Sequence, residues 1–359
     1  MFLTILAFLI VIGVLVMVHE LGHFIAAKKI GVKVEEFAIG FPPRIYSKKK
    51  NGTKYSVNAI PFGGYVKMLG ELEHSTAKDA FENQTPGKRF IISIAGVMMN
   101  VSLAWILLTI GFAVGMAPLV SNPKVLPVEK SKTEIIVADI QKNSPAEQLS
   151  LNVNDLLIGA KTATEAVSFD SAESVGSFTR KHLGEKITVS YKNDDKIIEK
   201  EVILSSDSSA PLGVAVFEKT IIKVAWYKAP YVALYETWQL IKTTFVFLGD
   251  FFKNLFVRGQ VGEGVGGPVA IYSYSGLALR AGIMIFIQFI AMLSVNLAIL
   301  NILPFPALDG GRLLFILLEK IRGGKVVREN VENIIHTVGF ILLIVLMIAL
   351  TYRDILRLF

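Results

Sequence analysis

The sequence predicts a polytopic α-helical membrane protein with four spans, a small membrane-associated β-hairpin and one α+β domain outside the bilayer. Three observations carry this. The 359 residues are 52% hydrophobic, and the mean hydropathy of +0.53 is too high for an ordinary soluble enzyme. Four apolar stretches reach the roughly 20 residues that a helix needs to cross a bilayer, within segments 1–27, 90–119, 281–303 and 334–352. Between the second and third lies a polar block, 120–220, of one small domain's size.

The basic residues assign the sides. Lys28, Lys29, Lys33, Arg44, Lys48, Lys49, Lys50, Lys54, Lys67, Lys78, Lys88 and Arg89 fill segment 28–89, and Arg312, Lys320, Arg322, Lys325 and Arg328 fill segment 304–333. An excess of Lys and Arg marks cytoplasmic loops, so the 120–220 domain lies outside; Arg353 and Arg357 run against the scheme. The first stretch is too long for a cleaved signal peptide and lacks a basic start. The formal charge of +7 raises the question of nucleic acid. The basic residues, however, cluster beside apolar runs, and no nucleic-acid motif is present. Absence of cysteine excludes disulfides and thiolate metal sites.

Within 28–89, residues 54–60 alternate polar and apolar as a strand does, and Pro61-Phe62-Gly63-Gly64-Tyr65-Val66 turns and continues. This predicts a hairpin that can lie against the membrane face. In the outer domain, strands are expected at 134–140, 156–158, 186–191 and 197–204, with 212–216 closing the sheet. Ser144-Pro145-Ala146-Glu147 reads as a capping box opening a short helix, and Asn193-Asp194-Asp195 as a turn. In 221–280, aromatics alternate with charges from Tyr231 to Val257 and a glycine-rich run, 259–267, follows. That pattern fits an amphipathic helix at the outer membrane surface better than a fifth span, since Lys242, Asp250 and Lys253 interrupt it.

The chemistry centres on His19-Glu20-Leu21-Gly22-His23. Positions i and i+4 share a helix face, so both imidazoles can bind one zinc ion, and Glu20 beside them can take a proton from the attacking water. The three residues continue an uninterrupted apolar run, where unpaired ionisable groups cost several kcal/mol and are functional by default. His23 precedes Lys28 by five residues, about 7.5 Å of helix, which puts the metal within the hydrocarbon edge. Catalytic zinc takes three protein ligands and leaves a fourth position open. The candidate third ligand is Asp309 in Asn301-Ile302-Leu303-Pro304-Phe305-Pro306-Ala307-Leu308-Asp309-Gly310-Gly311-Arg312. By itself this reads as an Asp-Gly turn at a helix end; the zinc motif tips it to ligation. Glu319 and His336 are the rival donors.

A zinc motif in the first span together with Asn-x-x-Pro-x-Pro-x-Leu-Asp-Gly-Gly in a later one resembles the site-2 protease family, nearest to its bacterial regulator of sigma-E group. Residues 61–68, Gly96-x-x-x-Asn100 and Gly267-Pro268-Val269 add to the resemblance, which spans nearly the whole chain. It implies an intramembrane zinc metalloprotease of the bacterial cytoplasmic membrane. His19, His23 and Asp309 would hold zinc, and Glu20 would be the general base. Asn301 would help to hold the unwound substrate backbone, and the hairpin, through Tyr55, Val57, Gly63, Gly64 and Tyr65, would pair with it. Substrates implied are single-span membrane proteins, such as anti-sigma factors, and leftover signal peptides. Through Ser144-Pro145-Ala146-Glu147 and Asn154-Asp155-Leu156-Leu157 the outer domain resembles a PDZ domain that receives peptide tails, although Ser150 and Asn154 stand where the family usually has glycines. In the cytoplasmic segment, Phe41-Pro42 departs from the family's Gly-Phe-Gly-Pro pattern. Two readings from other classes stay open on the residues alone: a membrane receptor built on the outer domain, against which Glu20 argues, and a transporter, against which the lack of internal repeats argues.

Overall fold

The computed structural model describes residues 1–71, 73–123, 126, 130–193, 196–259, 266–324 and 329–356. Asp194 and Asp195 of the expected turn, most of the glycine-rich run, Lys325, Arg328 and Arg357 lie outside them. The chain divides into two units, one of 1–111 with 230–359 and one of 112–229.

In the first unit, α1 (Phe2–Ile30) ends at Gly31, whose φ of 88° supplies the left-handed cap. Two strands follow, β1 (Val34–Lys50) and β2 (Thr53–Met68). They correct the expected simple hairpin. Each strand bends, β1 at the Pro42-Pro43 pair and β2 near Gly63 (φ 100°), so each contributes two limbs to one sheet, in which the central limbs 34–41 and 53–60 run parallel and the outer limbs antiparallel to them. Phe37 pairs with both Val66 and Tyr55, and Tyr55 pairs also with Lys48. The spatial order is therefore 44–50, 53–60, 34–41, 64–68. The limb 64–68 forms one edge. Val32, Val34, Met68, Phe81, Ala27 and Ile92 form a dry cluster where the sheet meets α1 and α2 (Pro86–Val114).

The second unit holds an antiparallel sheet in the order β7-β6-β4-β3-β8, with β5 on β4. Its elements are β3 (Lys130–Ile140), α3 (Pro145–Gln148), β4 (Leu156–Lys161), β5 (Ala166–Ser168), α4 (Ala172–Lys181), β6 (Lys186–Asn193), β7 (Lys196–Ile203) and β8 (Val214–Lys223). The Ser144 hydroxyl accepts from Glu147 N, as the capping box requires, but the Glu147 carboxylate reaches Asn143 N rather than Ser144 N. Ser150 (φ 57°) and Asn154 (φ 77°) both adopt the left-handed conformation that glycine favours. The core gathers Ile135, Leu157, Val189, Tyr191 and Phe178. Both ends of the unit are zipped together: Met116 and Ile222 exchange backbone hydrogen bonds, and Val224 N donates to Phe112 O.

The chain returns to the first unit through α5 (Ala229–Arg258), α6 (Pro268–Arg280), α7 (Ile283–Ile302), α8 (Asp309–Arg322) and α9 (Glu329–Leu356). Among the described residues, four helices are long and apolar enough to cross a membrane: α1, α2, α7 and the 334–356 part of α9. Ala7, Val11 and Leu15 of α1 pack with Ala278 of α6 and with Phe286 and Ile290 of α7. Asp354 of α9 is buried, and its carboxylate accepts from Gly267 N and Ala270 N at the start of α6.

Candidate metal centre

His19 and His23 lie one turn apart on α1, both buried, facing α2. Glycine makes this approach feasible. A Cβ on Gly22 would fall 2.4 Å from the carbonyl oxygen of Ala95, and one on Gly96 would fall among both imidazoles. The His23 Nδ1–H donates to the carbonyl oxygen of Ile92 at 2.8 Å, which leaves the His23 Nε2 lone pair free. The Asn100 amide, fully buried on α2, lies 3.4 Å from His19 Nδ1. With its oxygen turned to that ring, Asn100 accepts from Nδ1–H, and a buried oxygen otherwise lacking a partner is satisfied.

The third group arrives from the end of α7. The helix stops at Ile302, six residues form a compact loop, and Asp309 opens α8. The Gly310-Gly311 pair lets α8 begin against the loop, since side chains there would strike the carbonyls of Leu303 and Phe305. Ala307, with φ 76°, donates its N–H to His336 Nδ1 at 3.0 Å. His336, a rival donor in the sequence, thus supports the loop from α9. Glu319, the other rival, pairs with Arg89 at 2.6 Å.

Asp309 Oδ2 lies 3.0 Å from His19 Nε2 and 3.2 Å from His23 Nε2, and the two Nε2 atoms are 3.2 Å apart. These three are the one His/Asp/Glu group among the described residues able to share a metal ion. The His23 lone pair faces a carboxylate oxygen that is buried without a hydrogen-bond partner. Lone pairs crowded in this way repel unless a cation joins them. Their spacing is close to the roughly 3.3 Å that tetrahedral zinc with bonds of about 2.0–2.1 Å would impose, so the residues fit the metal.

The other predicted residues divide. Glu20, next to the ligands, accepts from Val66 N at 3.1 Å, which brings it to the 64–68 sheet edge. Tyr65 and Gly64 lie on that limb, opposite Ala38 and Ile39, and a Cβ on Gly64 would meet the Ala38 carbonyl. Tyr55 and Val57 sit on the interior 53–60 limb, half exposed, with Tyr55 against the rings of Phe24 and Phe37. Gly63 marks the bend of β2, where its Cβ would meet the Phe41 ring. Asn301 is half-buried in the last turn of α7. Sequence reasoning quoted Gly96 and Asn100 as part of a resemblance without giving them a role, used Arg312 only to assign the sides of the membrane, and did not single out Glu71.

Two histidines one turn apart, a carboxylate beside them and an aspartate from a second helix form a group that could serve as a metalloprotease centre, the histidines on a helix apolar enough to span a bilayer. The description of peptidase family M50 matches residues 7–346, and the chain belongs to that family, the site-2 proteases. It is a zinc metalloprotease of the site-2 type. A relative from Clostridium acetobutylicum, carried under a provisional zinc-metalloprotease name, is 35% identical over 99% of this chain and 98% of its own length. The zinc metalloprotease RasP of Oceanobacillus iheyensis is 30% identical over 99% of both chains, and the regulator of sigma-E protease RseP of Salmonella typhimurium is 28% identical over 98% of both. Among solved structures, the PDZ domain of an SdrC-like protein from Listeria monocytogenes is 19% identical, with a TM-score of 0.20, covering 23% of this chain and 85% of its own.

Proposed function

We propose that this chain hydrolyses peptide bonds within the transmembrane segments of single-span proteins, from a multi-pass position in the bacterial cytoplasmic membrane. The carrying observation is the convergence of His19 and His23, on a helix long enough to span a bilayer, with Asp309, the donor atoms lying within 3.2 Å of one another. In this reading the three hold zinc, which when bound supplies a Lewis acid for the scissile carbonyl and the attacking water. Glu20 takes the water's proton and passes it to the amide nitrogen as the C–N bond breaks, with no covalent intermediate.

A peptide bond in a helix is hydrogen-bonded and shielded, so the substrate must unwind before it is cut. The 64–68 edge can satisfy the exposed backbone by strand addition, with Gly63, Gly64 and Tyr65 at the edge, Tyr55 and Val57 on the sheet behind, and Asn301 as a polar contact. Glu20 accepts from Val66 N at this edge; on releasing it, the N–H becomes free for the substrate strand and the carboxylate for the water, which supports the assignment. We assign the 112–229 unit to the extracytoplasmic side as a PDZ-like domain receiving peptide tails, and anti-sigma factors and leftover signal peptides as the substrate class.

The test reconstitutes wild type and Glu20→Gln with a single-span substrate and measures cleavage and bound zinc together. Cleavage lost with about one zinc retained supports the mechanism. Failure of either protein to hold zinc, or undiminished cleavage by Glu20→Gln, overturns it.

A further inference from the structure

The edge limb 64–68 pairs with 34–41 on one side. On an antiparallel edge, backbone N–H groups two residues apart point the same way. Val66 N and Met68 N are such a pair, and acidic side chains take both: Glu20 Oε2 at 3.1 Å and Glu71 Oε2 at 3.1 Å. The two carboxylates are differently held. Glu20 stands beside the metal ligands. Glu71 folds back across the turn at Gly70 (φ 69°), and its other oxygen receives Arg312 Nη1 at 2.5 Å. Arg312 is itself braced over the Phe81 ring, 5.6 Å from its centroid, and lies three residues beyond Asp309 on α8. Burial alone would weaken the guanidinium's hold on its proton, yet Glu71 keeps the Arg312 pKa above its ordinary value.

An end-of-strand cap needs only the local contact to Met68. The second contact, to a residue 241 positions away on the helix that begins with Asp309, ties the cap to the metal loop. We propose that Glu71, anchored by Arg312, is a specificity-determining residue that blocks the Met68 donor and so sets the register in which a substrate strand pairs with the edge relative to Asp309. This rests on the strand-addition reading above. A register slip moves a paired strand by two residues if its side chains are to keep their faces. With Met68 N–H free, the substrate gains a second docking position, and the scissile bond moves by two residues.

Three chains are compared with one single-span substrate, product masses giving the cleaved bonds: wild type, Glu71→Ala, and the charge-reversed pair Glu71→Arg with Arg312→Glu. The reversed pair restores the ion pair but places a donor where Met68 N–H needs an acceptor. Cleavage two residues from the wild-type bond in both variants is expected. Wild-type bonds alone, in either variant and at whatever rate, overturn the proposal. A photo-cross-linking residue at Tyr65 in the Glu20→Gln background gives a readout independent of turnover. Its adduct on the substrate should move by two residues when Glu71→Ala is added, and an unmoved adduct overturns the register stop. No adduct on the substrate at all overturns strand addition itself, and the register stop falls with it.

Discussion

A Cβ on Gly96 would lie 2.4 Å from Nε2 of His23, the atom that faces Asp309. No side chain fits between α2 and the two imidazoles. Gly96→Ala is therefore expected to lose most bound zinc, and cleavage with it, while helix content by circular dichroism stays unchanged; overpacking of this kind costs about 1–3 kcal/mol. Gly13→Ala, on the same apolar helix as the histidines but with open space around it, is the control and should keep both.

Asn100 and Ile92 act on the His19 and His23 rings from behind, since each engages an Nδ1 and so directs an Nε2 toward Asp309. Partners of this kind are worth about 10–100-fold in metal affinity. Asn100→Leu should lower zinc affinity by that order in a chelator competition, and Asn100→Asp, which keeps an acceptor for Nδ1–H, should retain most of it. Equal losses in the two variants would mean that Asn100 matters only for packing.

His336 accepts the Ala307 N–H, and Ala307 is in a conformation that non-glycine residues rarely adopt. His336→Leu removes the acceptor, which costs about 1–3 kcal/mol. Slower cleavage, roughly tenfold or more, with weakened zinc retention should follow. His336→Asn should restore much of the activity, since its side-chain oxygen can accept in place of Nδ1. Ala307→Gly in the His336→Leu background should recover part of the loss by relieving the backbone.

In the sheet, Glu36 joins the limbs by accepting from Ser56 and from Arg44, the latter at 2.8 Å. Partial burial, the largest single influence, pushes its carboxyl upward, but Ser56, Arg44 and Lys54 together hold it below the ordinary range. A depressed carboxylate stabilises the fold fully above its unfolded value of about 4.5, and that contribution is lost as pH falls through the folded value. The hydrogen-exchange protection factors of residues 44–58, taken against the intrinsic rate at each pH, should therefore fall below about pH 4.5, and Glu36→Gln should flatten that dependence. An unaltered profile in the variant would assign the acid response to another group.

The chemistry was more legible in the sequence than the framework around it. His19, Glu20 and His23 sit within five residues, so helical periodicity alone brings them together, and Asp309 stands out because prolines and glycines surround it. Glu71 and Arg312 carry no local signal, being 241 positions apart. The 34–50 strand was missed because Pro42-Pro43 and a run of lysines interrupt its alternation, and its pairing is with a partner that bends as well. The α4 helix was missed for a different reason. Its capping box uses Ser174 where Glu or Gln is the usual third-position signal, and Gly176 weakens its interior.

The zipped ends of the 112–229 unit have a consequence for how such chains can grow. Because Met116 is bonded to Ile222 and Phe112 to Val224, the chain leaves and re-enters at neighbouring points. The intervening stretch behaves as a cassette: extra length can be spliced in between those stapled points without rerouting the helices that carry His19, His23 and Asp309. The alignment with the Oceanobacillus relative extends over 452 positions, well beyond the 359 residues of this chain, so the family does add length to a shared plan.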